Sequence, residues 1–243
     1  MKREALIVGI NRYSVMRQHL TAPANDAEAI AQRLEQATGD YSWSVRRLPE
    51  TFIEGKPSIS QDTGIKQEKL KVEISNFLNP QTSSPPEVVL LFFSGCGLRQ
   101  DQGEDSEAFL AASDTKAFTD DEKRQGISLK WLRQQLINSP IQNQAVLLDC
   151  SYSGELLNLN HQELRQWNIE GNRCLITACR DDRQAYSNNK HGVLTNLLLQ
   201  ALDPKLYPSN QWISTWTITE LIEQQWETDH FLKLQIPLCR HFG

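Results

Sequence analysis

The sequence predicts an α/β fold built on a doubly wound, mostly parallel sheet. Residues 88–93 and 145–148 are continuous apolar runs, which are typical of strands buried on both faces of a parallel sheet. Each run ends in small polar residues that include glycine, at 94–97 and 149–154. Strand-like and helix-like segments also alternate along the chain, as in a doubly wound sheet.

The elements follow in chain order from apolar periodicity and from turn residues. Strands are predicted over 5–10, 43–48, 87–93, 108–112, 145–149, 172–177 and 231–236. Helices are predicted over 24–37, 65–78, 129–137, 192–202 and 217–226. Ser128 is the predicted N-cap of the third helix. Residues 49–64 are rich in turn formers and are predicted to be a loop.

Length and composition limit the classes of function. The chain has 243 residues, which suits one α/β domain, and 25 basic against 30 acidic residues, which argues against nucleic-acid binding. No apolar stretch approaches the roughly 18 residues of a membrane span, so no membrane association is expected. The five cysteines are scattered without a CxxC pair, so neither a zinc site nor a disulfide framework is expected. Unpaired cysteines suit the reducing cytoplasm, which is the expected location.

The two strand ends carry a family resemblance. Ser94-Gly95-Cys96-Gly97 and the segment 149–154, Asp-Cys-Ser-Tyr-Ser-Gly, resemble the two site motifs of the caspase-like peptidases (peptidase C14). The closest resemblance is to the bacterial metacaspase-like proteins called orthocaspases. Further segments match the family in the right order, at 5–13, 20–27, 107–114, 126–129 and 175–195.

The resemblance implies a caspase-like fold, with a central, mostly parallel six-stranded sheet and helices on both of its faces. It also implies a single domain over residues 1–243. The large-subunit-like part would cover about 1–155 and the small-subunit-like part about 170–243. A monomer is expected.

The resemblance also implies that both members of the catalytic dyad have been replaced. The general-base His of the family falls on Cys96, and the nucleophilic Cys falls on Ser151. A thiol does not shuttle protons at neutral pH as an imidazole does, and a serine hydroxyl needs a base before it can attack. A catalytically inactive protein is therefore the leading expectation.

The alignment at the second motif has one alternative, in which Cys150 is the nucleophile. Asp149 and the residues 152–154 fix the register against it, and consecutive strand residues point in opposite directions, so Cys150 is expected to face away from the cleft. Cys96 is expected to be an inert filler, with a reactive thiol as the alternative.

Five histidines are candidates for a replacement base. They are His19, His161, His191, His230 and His241. His191 is interpreted as a turn or cap residue, and His161 as part of a solvated loop.

The resemblance places two acidic residues in a pocket for Arg or Lys side chains, at Asp26 and Asp149. Paired carboxylates suit a guanidinium, so the expected partner is a protein or peptide with basic residues. The alternative for Asp26 is a carboxylate that stabilises a helix N-terminus.

An acidic segment makes calcium a weakly supported alternative to the expectation of no cofactor and no metal. Its residues are Asp101, Glu104, Asp105, Glu107, Asp114, Asp120, Asp121 and Glu122. No EF-hand spacing is present, and a solvated loop is the preferred interpretation.

Three hypotheses of function remain open from the sequence. The first is a caspase-fold pseudopeptidase that acts by binding a protein or peptide, with regulation as its role. The second is a residual or altered Arg/Lys-directed hydrolase that uses Ser151 or Cys150. The third is a scaffold module of a larger protein, for which exposure of Trp212 or Trp216 would be relevant because tryptophan is enriched at interaction hot spots.

Overall fold

Thirteen strands and six α-helices are present in the computed structural model, which describes residues 1–14, 18–102, 105–116, 126–169, 171–187, 190–206, 214–228 and 235–242. The strands are β1 (Arg3–Gly9), β2 (Arg12–Tyr13), β3 (Gln18–His19), β4 (Ser44–Leu48), β5 (Glu50–Ile53), β6 (Lys56–Ile59), β7 (Val88–Ser94), β8 (Gly97–Gln102), β9 (Asp105–Leu110), β10 (Ile127–Ser128), β11 (Asn143–Asp149), β12 (Asn172–Thr177) and β13 (Leu238–Phe242). The helices are α1 (Pro23–Glu35), α2 (Gln67–Leu78), α3 (Leu129–Asn138), α4 (His161–Ile169), α5 (Val193–Ala201) and α6 (Thr215–Thr228).

Six of these strands form one central sheet in the order β13-β12-β11-β7-β1-β4. All pairs are parallel except β12 with the edge strand β13, which is antiparallel. In register, Ser94 at the end of β7 lies beside Gly9 of β1 and Asp149 of β11. The two motif-bearing strand ends are therefore neighbours at one edge of the sheet. The predicted α/β fold with a six-stranded, mostly parallel sheet is confirmed.

Two apolar cores cover the two faces of the sheet. Leu6 and Val8 of β1 point into the core formed with α2, α3 and α4, whereas Ala5 and Ile7 point into the core formed with α1, α5 and α6. Because alternate strand residues face opposite sides, a strand covered on both sides must be apolar throughout. The continuous apolar runs in the sequence have this origin.

Three predictions about individual elements were wrong. Residues 49–64 include the hairpin of β5 and β6, whose turn at Glu54 and Gly55 has φ values of 50° and 77°. This left-handed pair suits a type I′ turn, which matches the twist of a hairpin. His161 begins helix α4 and does not lie in a loop.

The last strand was also placed wrongly. Of the predicted strand 231–236, residues 231–234 lie outside the described residues, and 235–236 are not in a strand. The strand is β13, Leu238–Phe242, which has only partly buried residues along most of its length. An edge strand needs no continuous apolar run, so its sequence signal was weak.

Candidate active site

A cavity of about 480 Å³ opens at the carboxyl ends of β7 and β11. Asp26, Cys96, Asp149 and Ser151 all line this cavity, whereas Cys150 is not in its lining. Residues 184–187 form another part of the cavity wall. The fold thus brings together four of the five residues that the sequence analysis singled out.

The two strand ends touch through Gly97. A Cβ atom on this residue would overlap the carbonyl oxygen of Ser151, so only glycine allows this approach. Two residues earlier in each segment, the backbone N–H of Gly95 donates to the carbonyl oxygen of Asp149 at 3.4 Å. The backbone consequently holds the segments that carry Cys96 and Ser151 in contact.

Cys96 is held by its backbone and carries a weakly acidic thiol. Its N–H donates to the hydroxyl of the fully buried Tyr13 at 2.7 Å, and its Sγ lies 3.7 Å from the carbonyl oxygen of Gly97. Burial raises the pKa of the Cys96 thiol to about 11. The side chain is therefore a neutral thiol at physiological pH, which neither attacks nor accepts a proton readily.

Ser151 sits on a sharp turn that follows β11. The next residue, Tyr152, has a φ of 59°, which is in the left-handed region, and its N–H donates to the carbonyl oxygen of Arg183 at 2.8 Å. The Oγ of Ser151 accepts a hydrogen bond from the backbone N–H of Ala185 at 3.1 Å. The hydroxyl thus contacts the part of the cavity wall that residues 184–187 form.

Cys150 belongs to the core. Only 1 % of its surface is exposed, and it packs in the cluster that includes side chains of α2 and α3. Burial raises the pKa of its thiol well above the ordinary value. A nucleophile needs access to substrate and an accessible thiolate, and this environment provides neither.

Asp26 is buried behind the cavity surface and carries three polar contacts. Its Oδ2 accepts from the hydroxyl of Ser94 at 2.8 Å, and its Oδ1 accepts from the N–H of Gly192 at 3.0 Å. The same Oδ1 lies 2.9 Å from Nδ1 of His191. Burial raises the pKa of the Asp26 carboxyl to about 7, although the hydrogen bonds oppose the shift.

Asp149 is the second buried carboxyl. Its Oδ2 accepts from the backbone N–H of Thr195 at 2.9 Å and from the Thr195 hydroxyl at 2.6 Å. Burial and the nearby carboxyl of Asp26 raise the pKa of Asp149 to about 7. Gly192 lies between the two carboxyls, since a Cβ there would overlap the carboxylate of Asp149.

The start of helix α5 therefore anchors the acidic pair. Gly192 precedes the helix and Thr195 is in its first turn, where backbone N–H groups lack partners within the helix and favour a negative charge. Burial and the neighbouring charge of Lys190 lower the pKa of His191, so the neutral imidazole can donate from Nδ1 to Asp26. The sequence predicts a turn or cap residue at His191, and its pattern gives no sign of this contact with Asp26.

The other histidines have different surroundings. His19 lines the cavity and is the only imidazole that does so among the described residues. His161 is exposed at the start of α4. His241 of β13 stacks against the exposed Trp216 of α6, with ring centroids 4.0 Å apart. His230 and Trp212 lie outside the described residues.

The acidic segment is only partly described. Glu104, Asp120, Asp121 and Glu122 lie outside the described residues. Within the part of the chain that is described, no group of three or more His, Cys, Asp or Glu side chains is arranged to hold a metal ion. Asp114 instead accepts from the N–H of Gln67 at the start of α2. Among the described helices, none is long and apolar enough to cross a bilayer.

Comparisons with known proteins identify the class. The family model of the caspase domain, peptidase C14, matches residues 2–225, so the chain belongs to the caspase-domain family of cysteine peptidases. A search of curated proteins finds no match.

Two solved structures share the fold. One is protein GSU0716 from Geobacter sulfurreducens, with a TM-score of 0.67 and 15% identity over 100% of this chain and 94% of that chain. The other is caspase-1 from Spodoptera frugiperda, with a TM-score of 0.55 and 11% identity over 98% of this chain and 86% of that chain. At these identities the likeness extends to the fold alone.

Proposed function

We propose that this chain is a caspase-fold pseudopeptidase that binds a protein or peptide through a basic side chain and does not cleave it. The observation that carries the proposal is the composition of one cavity. Cys96 and Ser151 line it at the positions where the family resemblance expects His and Cys, and the acidic pair Asp26 and Asp149 lines it as well.

The chemistry of the first two residues supports loss of cleavage. A peptidase of this class needs a thiolate and a base that accepts its proton. Cys96 has a thiol with a pKa of about 11, and the hydroxyl of Ser151 already accepts a hydrogen bond from Ala185. Because members of a catalytic unit act together, losing either one removes most of the rate.

The acidic pair supports retained binding of a cation. Among the described residues, Oδ1 of Asp149 accepts no hydrogen bond, and Oδ2 of Asp26 accepts one from Ser94. These oxygens retain lone pairs for the donors of a guanidinium or an ammonium group. By binding the Arg or Lys side chain of a partner in this way, the protein would compete with active relatives for that partner. Such competition would be a regulatory role.

A cleavage assay tests the proposal. The natural protein and the double variant Cys96→His, Ser151→Cys are incubated with Arg, Lys and Asp peptide reporters, with and without calcium. We expect the natural protein to be silent and the double variant to cut after Arg or Lys. Adding Asp149→Asn to the double variant should suppress that cleavage. Cleavage by the natural protein that Ser151→Ala abolishes would contradict the proposal.

An altered hydrolase is the second candidate, and His19 is the observation that favours it. This imidazole lines the same cavity as Ser151 and would serve as a relocated base. An Arg-directed electrophile should then label Ser151, and His19→Gln should slow the labelling at least about tenfold. If folded natural protein takes up no label, this candidate fails.

A further inference from the structure

Ser151 contacts both walls of the cavity. Its carbonyl oxygen packs against the α-carbon of Gly97 on one wall, and its Oγ accepts from the N–H of Ala185 on the other. The residue lies on the turn after β11, a strand of the central sheet, so it connects the sheet to both Gly97 and Ala185.

The wall of residues 184–187 has little regular structure of its own. Residues 183–186 belong to no helix or strand. The N–H of Ala185 is bound by the Ser151 hydroxyl, and the N–H of Tyr186 by Oε1 of the buried Gln235 at 2.6 Å. The carbonyl oxygen of Tyr186 accepts from the N–H of Val193 at 3.0 Å. Two side-chain oxygens therefore fix consecutive amides of this wall.

We propose that the Ser151 hydroxyl is a positioning group, which holds the wall of residues 184–187 at the spacing that a bound peptide requires. This inference rests on the proposed peptide-binding function and adds a role for the residue at the former nucleophile position. The serine oxygen acts as a hydrogen-bond acceptor for the wall and not as an attacking group.

The side-chain atom at position 151 decides how strong the hydrogen bond from Ala185 is. A hydroxyl oxygen has two acceptor lone pairs, whereas the sulfur of a thiol is a weak acceptor and alanine provides none. Serine and threonine should therefore hold the wall, cysteine should hold it less well, and alanine should release it. A residue that merely fills space would show no such order.

Amide hydrogen exchange and peptide binding together test this role. Exchange at Ala185 is measured by NMR in Ser151→Ala, Ser151→Cys and Ser151→Thr, and the affinity of a fluorescent peptide with one central Arg is measured in the same variants. Loss of one neutral hydrogen bond should speed exchange at Ala185 by roughly 3- to 10-fold in Ser151→Ala and weaken the peptide several-fold. Ser151→Thr should retain both properties, and Ser151→Cys should fall between.

The exposed Ser83, in the loop before β7 at the other end of that strand, provides the matched control, and Ser83→Ala should change neither readout. Unchanged exchange at Ala185 in folded Ser151→Ala would overturn the positioning role. Faster exchange with unchanged peptide affinity would overturn it as well, because the wall would then not serve binding. If the natural protein itself fails to bind the peptide, the proposed function fails, and exchange at Ala185 still reports separately on the contact.

Discussion

The two halves of the cavity differ in how strongly the fold supports them. On the side of Cys96 and Ser151, burial keeps the Cys96 thiol protonated, with a pKa of about 11, and the Oγ of Ser151 accepts a hydrogen bond from the N–H of Ala185. On the side of the acidic pair, Asp26 and Asp149 are bound by groups from β7 and from the start of α5. This difference is consistent with the proposed function, in which the acidic pair serves recognition and the pair Cys96 and Ser151 does not support cleavage.

The largest expected effect is on the acidic half, in Asp149→Ala. The substitution leaves the buried N–H and hydroxyl of Thr195 without their acceptor, so we expect a loss of about 3 kcal/mol in the free energy of unfolding. Urea denaturation followed by circular dichroism measures it. At the exposed Asp62, which forms an ion pair with Arg12, substitution by alanine should cost less than about 1 kcal/mol.

Ser151→Ala is the corresponding substitution in the half of the cavity that contains Cys96 and Ser151. It should cost no more than about 1.5 kcal/mol, since one neutral hydrogen bond at the cavity surface is lost. If Ser151→Ala destabilises the protein as much as Asp149→Ala does, the contrast between the two halves is wrong.

An effect between those of Asp149→Ala and Ser151→Ala is expected from Gly192→Ala, which tests the spacing of the acidic pair. The new Cβ would overlap the carboxylate of Asp149 and force it or the start of α5 to move, at a cost of about 2 kcal/mol. Thermal unfolding measures the change in stability, and binding of the Arg peptide should weaken in parallel. Combining Gly192→Ala with Asp149→Ser, which shortens the opposing side chain, should cost less than the sum of the two single changes.

The pH dependence of binding is the smallest expected effect. The pKa of each buried carboxyl is raised to about 7, so a proton occupies the pair below pH 7 and a cationic side chain must displace it. Affinity for the Arg peptide should therefore rise by about tenfold as the pH increases from 6 to 8, for the release of one proton with a pKa of about 7.

Fluorescence anisotropy at constant ionic strength measures this dependence, and Asp149→Asn should flatten it. The stability of the free protein should change in the opposite direction. A carboxyl whose folded pKa lies above its unfolded value of 3.8 stabilises the fold less as the pH rises from about 4 to 7. An affinity that is constant from pH 6 to 8 would show that the pair is not titrating in the site.

Many of the strands and helices could be predicted from the sequence because local patterns of apolar and capping residues specify them. The apolar runs at 88–93 and 145–148 fall within β7 and β11, and Ser128 accepts from the N–H of Trp131 as the predicted N-cap of α3. The hairpin of β5 and β6 and the strand β13 were missed, since neither is covered on two faces and neither carries a continuous apolar signal.

The sequence alone determined that two strand ends with small polar residues would lie at one edge of a parallel sheet, because burial on both faces demands long apolar runs. Only the tertiary structure decided what those ends contact. His191 is 165 residues from Asp26, Thr195 is 46 residues from Asp149, and Ala185 is 34 residues from Ser151. Such contacts depend on how α5 and the wall of residues 184–187 pack against the sheet, and no local periodicity in the chain records that packing.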